Sequence, residues 1–164
     1  VYIHSLQEAD MSEQQLEAIK EKNFSSAQVG DFSGLGNYQF YHPLGKGRGW
    51  PGKLFLRGPL DLTGMEVSLN KLPAGQSVPF YHRHREHEEL YVFLKGSGQF
   101  QVDGRTIDVR EGSVIRVAPD GVRTWRNTGD ADLVYIVIQA NANSIGAQGI
   151  EDGVTLPEKV QWPA

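Results

Sequence analysis

Three of the five histidines fall within six positions, in the stretch HRHREHEE at residues 82–89. In an extended chain alternate side chains share a face, so His82 and His84 project to one side with Cα atoms about 6.5 Å apart. Two neutral imidazoles at that spacing can converge on one cation through bonds of about 2.0–2.1 Å. Glu89 opens the following run of strand formers, with Tyr91 and Phe93 on its own face, and can return beside the two rings. The set would be two imidazoles and one carboxylate, with coordination positions left for water or substrate. The competing reading is a solvated, charged turn between two strands, because His-x-His is a short pattern. His87 and Glu88 are assigned to the turn itself, and His4 and His42 have no visible partners.

These residues need strands to position them, and the chain supplies strand patterns from Tyr38 onward. Pro79 before the cluster and aromatic and β-branched residues after it favour strand, turn, strand over a helix that would stack His84 on His87. Short runs separated by Gly, Pro and Asp recur: YQFYH, KLFLR, MEVSLNKL, LYVFL, GQFQV, TIDV, SVIRVA, VRTWRN and LVYIVIQ. Such spacing with no helical period indicates an all-β sandwich or barrel. The clearest hairpin turns at Asp103-Gly104, since a type I′ turn needs positive φ at both central residues. Further turns are expected at 119–121 and 127–130. Before the strands, Ser12 and Gln15 have the form of a capping box, and Leu16 and Ile19 mark one apolar face, so a short helix is expected there. Residues 23–37 read as an arm laid over the domain. The division is therefore 1–37 for helix and arm, 38–140 for the β domain, and 141–164 for an irregular tail covering it.

Composition narrows the function classes. The formal charge of -4 without a basic stripe argues against a nucleic-acid partner. There is no cysteine, which removes disulfide and thiolate chemistry. The longest apolar run, LVYIVI, is too short to span a bilayer, and the first residues lack the pattern of a secretion signal, so no membrane partner and a cytoplasmic location are expected.

With these residues in place the sequence resembles the cupin superfamily. A first motif of Gly, His-x-His, Glu and Gly is matched by Gly75, His82, His84, Glu89 and Gly96, with a gap of six residues after Gly75 where five is usual. A second is matched in part by Gly112, Pro119, Gly121 and Asn127. The resemblance implies a double-stranded β-helix, or jelly-roll barrel, often paired as a homodimer. It also implies a divalent ion, Fe, Mn, Ni, Zn or Cu, held inside the barrel. It names a fold and not a reaction, since members include oxygenases, isomerases and ligand-binding domains.

Where the second motif should supply a further histidine, this chain has Arg123 and Thr124, and one residue fewer before Asn127. Arginine keeps its proton and offers no lone pair, so it cannot be a ligand. Arg123 and Trp125 share one face of their strand, and the cost of leaving Trp125 in water points that pair inward. The substrate-binding set is thus expected to be Arg123, Trp125 and Tyr91, with Arg116 as a further basic group. Two functions follow. With a metal on His82, His84 and Glu89, the ion's charge, less Glu89 and plus Arg123, leaves about two positive charges, and unit charges 4 Å apart interact by about 4 kcal/mol at an effective dielectric of 20. That site calls for a small anionic or polyhydroxylated substrate and fits a metal-dependent oxygenase or isomerase. Without a metal, Arg123 pairs with Glu89 and the barrel serves as a small-ligand-binding or interaction module.

Overall fold

The computed structural model describes residues 15–41, 47–146 and 149–163. Each of the nine strand patterns named above contains a strand. In chain order the elements are β1 (Ala18–Lys20), β2 (Ser25–Ala27), β3 (Gln39–Tyr41), β4 (Gly49–Pro51), β5 (Lys53–Phe55), α1 (Arg57–Leu60), β6 (Glu66–Leu72) and β7 (His87–Lys95). The chain continues with β8 (Ser97–Val102), β9 (Arg105–Arg110), β10 (Val114–Val117), β11 (Arg123–Asn127) and β12 (Leu133–Asn141).

Five strands make one antiparallel sheet in the order β10-β7-β12-β6-β5, and three make a second in the order β11-β8-β9. Tyr91, Phe93, Tyr135, Val137 and Leu133 from the first pack with Phe100, Val109 and Trp125 from the second in one buried cluster. This is an all-β double-stranded β-helix. The hairpin at Asp103-Gly104 closes β8 on β9, with φ of 49° and 77° at its two centres, as the type I′ turn requires. The turn at 119–121 is closed by the Gly121 amide on the Ala118 carbonyl (3.0 Å). A Cβ on Gly121 would come within 2.6 Å of Val117 Cγ1, so glycine there is a matter of space.

The β6 strand shows how the sheet is covered on both faces. Its apolar Leu69 packs outward with Leu54, Leu35 and Tyr38, where a 3₁₀ turn at Phe32–Asn37 lies over the sheet. Its polar Ser68 and Asn70 are buried on the other face. Val29, Phe32 and Leu35 therefore pack on the outer face of the large sheet.

The expected short N-terminal helix is not found among the described residues. Ser12 lies outside the described residues, and Ala18–Lys20 is a strand paired with Ser25–Ala27. Leu16 and Ile19 suit a helix face, but pairing with the arm supplies the backbone hydrogen bonds instead, and Ile19 stays exposed. The single helical turn at Arg57–Leu60 was not foreseen. Residues 151–163 of the tail are exposed throughout, and no helix of the described residues is long and apolar enough to cross a membrane.

Candidate metal centre

Residues 82–86 of the HRHREHEE segment belong to no continuous strand, and His87, Glu88 and Glu89 begin β7. His82 forms an isolated bridge with Arg123, with the His82 amide on the Arg123 carbonyl (3.2 Å) and the return bond at 3.0 Å. The His84 amide donates to the Pro119 carbonyl (2.9 Å). The two histidines are thus pinned to the opposite sheet by backbone bonds, one on β11 and one on the 119–121 turn. Their rings lie 5.6 Å apart, nearly perpendicular at 85°.

Glu89 comes from β7 and meets them in the interior. Donor atoms of His82, His84 and Glu89 all lie within 4.8 Å of one another. Glu89 Oε1 faces His84 Nε2 at 3.0 Å, while Oε2 is 3.9 Å from His82 Nε2. Oε2 also accepts from the Tyr91 hydroxyl and from Arg123, through Nε (3.1 Å) and Nη2. Arg123 completes its bonding by donating from Nη1 to the Gly121 carbonyl (2.8 Å).

The electrostatics follow from this packing. Burial opposes a charge on Glu89, but His82, the Tyr91 hydroxyl and the Arg123 guanidinium together outweigh it and hold the carboxyl well below its usual range. Burial lowers the His84 value, against the pull of Glu89, which favours the neutral ring a metal needs. Burial and the neighbouring Glu89 raise Tyr91, so its hydroxyl stays protonated and donates. One buried atom, His82 Nδ1, has no hydrogen-bond partner among the described residues.

The cluster opens on a cavity of about 710 Å³. Trp125 and Tyr91 line it, as expected. Trp125 is held by its Nε1–H on the Tyr135 hydroxyl (2.8 Å). Arg123 points inward as alternation required, yet it is fully buried behind Glu89 and does not reach the cavity surface. Arg116 stands apart from the cavity and pairs with Glu88 at the surface (2.6 Å). His87 and Glu88, expected in the turn, instead begin β7 and pair with Asn141 and Ala140 of β12, and His87 Nδ1 lies 3.1 Å from the Gln139 side chain. His4 and His42 fall outside the described residues.

Sequence reasoning did not find the other end of the cavity. Lys53 on β5, Ser68 and Asn70 on β6, and the rings of Phe40, Trp50 and Phe55 line it there. The only hint was alternation in MEVSLNKL, which puts Ser68 and Asn70 on one face without saying that this face is buried.

Comparisons with known proteins agree with the fold. The model of the family described as "Cupin domain" matches residues 68–139. An "Oxalate-binding protein" of Thermotoga maritima is 32% identical over 68 residues, 42% of this chain and 55% of that protein. An uncharacterized protein of Methanocaldococcus jannaschii is 30% identical over 77 residues, 46% of this chain and 61% of that protein. The chain therefore spans little more than half the length of these curated relatives. The crystal structure of a cupin protein from Bacteroides fragilis superposes with a TM-score of 0.61 at 40% identity, covering 63% of this chain and 88% of that one.

Proposed function

The chain belongs to the cupin superfamily, and we propose that it uses that fold to hold a divalent transition metal on His82, His84 and Glu89, facing a cavity that takes a small anionic or polyhydroxylated molecule. The observation that carries this reading is the convergence of three donor atoms within 4.8 Å at a cavity wall. The donors suit the ion chemically: one carboxylate held ionised, and an imidazole kept neutral by burial. His82 adds a buried nitrogen with no hydrogen-bond partner among the described residues, a state that costs about 1–3 kcal/mol unless the ring finds one.

Arg123 and Tyr91 then act behind the ligands. By occupying Glu89 Oε2 they fix the carboxylate and leave Oε1 turned toward His84, the outer arrangement that orients a metal ligand. Arg123 is a positioning residue in this account, not a clamp on substrate. When bound, the ion would supply Lewis acidity and vacant coordination positions, which suits oxygenation or isomerisation of a chelating oxygen ligand. The relative named for oxalate binding makes oxalate the first anion to titrate.

One observation favours a second reading, a metal-free binding module: Glu89 already has Arg123, Tyr91 and His84 against its two oxygens. Elemental analysis of tag-free protein prepared without chelators separates the two. About one ion per wild-type chain, lost in a His82→Ala/His84→Ala double variant, is the expected result. No retained metal in either protein after incubation with Fe(II), Mn(II), Ni(II) and Zn(II) would leave only the binding module.

A further inference from the structure

Lys53 enters from the edge strand β5, where it pairs in register with Asn70. Its Nζ donates to Asn70 Oδ1 (3.0 Å) and Ser68 Oγ (3.2 Å). These use two of its three N–H bonds. The ammonium lies 4.8 Å from the ring centroid of Phe55 and 5.9 Å from that of Phe40. No carboxylate of the described residues pairs with it.

That isolation matters because the buried charge at the cavity's other end is compensated by direct contact. Glu89 has Arg123. Lys53 has no such contact: Glu66, which also lines the cavity, and Glu89 act on it only through space, and its ammonium is set among aromatic rings. Buried charges in proteins are normally paired, and neither Ser68 nor Asn70 carries a countercharge. β5 stands three strand positions from β7, an arc of about 14 Å at the usual strand spacing. A ligand can thus touch both ends at once only if it has a polar group at each.

We propose that Lys53 is the binding site for the carboxylate of an organic acid with an apolar body, whose other end points to His82, His84 and Glu89. Trp50, Phe40 and Phe55 take the apolar part, Ser68 and Asn70 hold the ammonium in place, and the carboxylate accepts the third N–H. This rests on reading the cavity as a ligand site, but not on the metal.

The test titrates phenylacetate, with phenylacetamide as the neutral control, by tryptophan fluorescence, since Trp50 and Trp125 both line the cavity. It uses the full chain as wild type, Lys53→Met, Lys53→Arg, His82→Ala/His84→Ala, and the triple variant with Lys53→Met. Saturable phenylacetate binding is expected in the His82→Ala/His84→Ala protein, weakened at least tenfold by adding Lys53→Met. Lys53→Arg should retain it within about threefold in the otherwise wild-type chain. Phenylacetamide should not distinguish lysine from methionine. Equal phenylacetate affinity with and without Lys53, an equal loss for the amide, or no saturable binding of the acid would overturn the inference. Metal content of Lys53→Met is measured in parallel. Metal retained with no Lys53 effect sinks this inference alone, and a Lys53 effect alongside a chain with His82 and His84 intact that retains no metal sinks the metal reading alone.

Discussion

The two ends of the cavity solve the problem of a buried charge in opposite ways. At one end Glu89 and Arg123 neutralise each other, backed by Tyr91, Gly121 and His84. At the other, Lys53 touches the neutral groups of Ser68 and Asn70 and aromatic rings, with carboxylates acting on it only at longer range. The first is complete in charge and offers lone pairs through the imidazoles. The second is incomplete in charge and offers a proton donor to something from outside. A closed network positions ligands, whereas an open charge selects them.

The largest expected effect breaks the closed end. Arg123→Leu leaves Glu89 buried without its cation and should cost about 3–5 kcal/mol by urea unfolding, as removal of one partner of a buried pair does. Lys53→Met should cost less in the same assay, about 1–3 kcal/mol at most, because it strands the buried Asn70 Oδ1 but removes a poorly compensated charge. A loss from Lys53→Met as large as that from Arg123→Leu would erase the distinction.

Next in size is the joint between the two sheets. Buried Asn127 donates to the Leu72 and Ala131 carbonyls (2.8 Å each) and accepts from the Gly129 amide. Asn127→Ala strands those groups, at about 1–3 kcal/mol. An unfolding midpoint unchanged from wild type would show that water replaces the side chain.

A smaller, signed effect concerns pH. Burial pushes Lys53 down to about 8 from 10.5, while Glu89 on β7 and Glu66 on β6 hold it up. The nearby Tyr135 hydroxyl is raised by its own burial and stays neutral. Between about pH 8 and 10.5 the unfolded chain keeps a proton that folded Lys53 has lost, so this site's contribution to stability rises with pH. Phenylacetate affinity should fall over the same range. Affinity held constant to pH 10 would contradict the charge assignment.

The smallest effect is at the surface. Arg116→Ala, which breaks only an exposed pair with Glu88, should change stability by less than about 1 kcal/mol. It should leave both metal and phenylacetate binding unchanged; a tenfold loss of either would place Arg116 back at the cavity.

The same contrast explains what could be read in the sequence. His82, His84 and Glu89 sit within eight residues, and alternation plus one turn suffices to bring them together. Arg123 was placed inward by its neighbour Trp125, and the structure agrees, but its full burial behind Glu89 depends on a pairing 34 residues away. Lys53 could not be found this way. Its site is assembled from β5 and β6, and MEVSLNKL alternates as a strand with a wet face would; only the cover supplied by Leu35 shows that its apolar face is the outer one. The strand at Ala18–Lys20 failed for a related reason, since its partner Ser25–Ala27 carries no strand signal. Short motifs are local chemistry and register is not.

The most direct test of the metal centre is anomalous diffraction at the zinc edge from crystals of the zinc-loaded protein. The account predicts one peak within bonding distance of His82, His84 and Glu89 Oε1, with Arg123 still on Oε2. Diffraction showing no zinc there, with Glu89 turned wholly to Arg123 and His84, would contradict it.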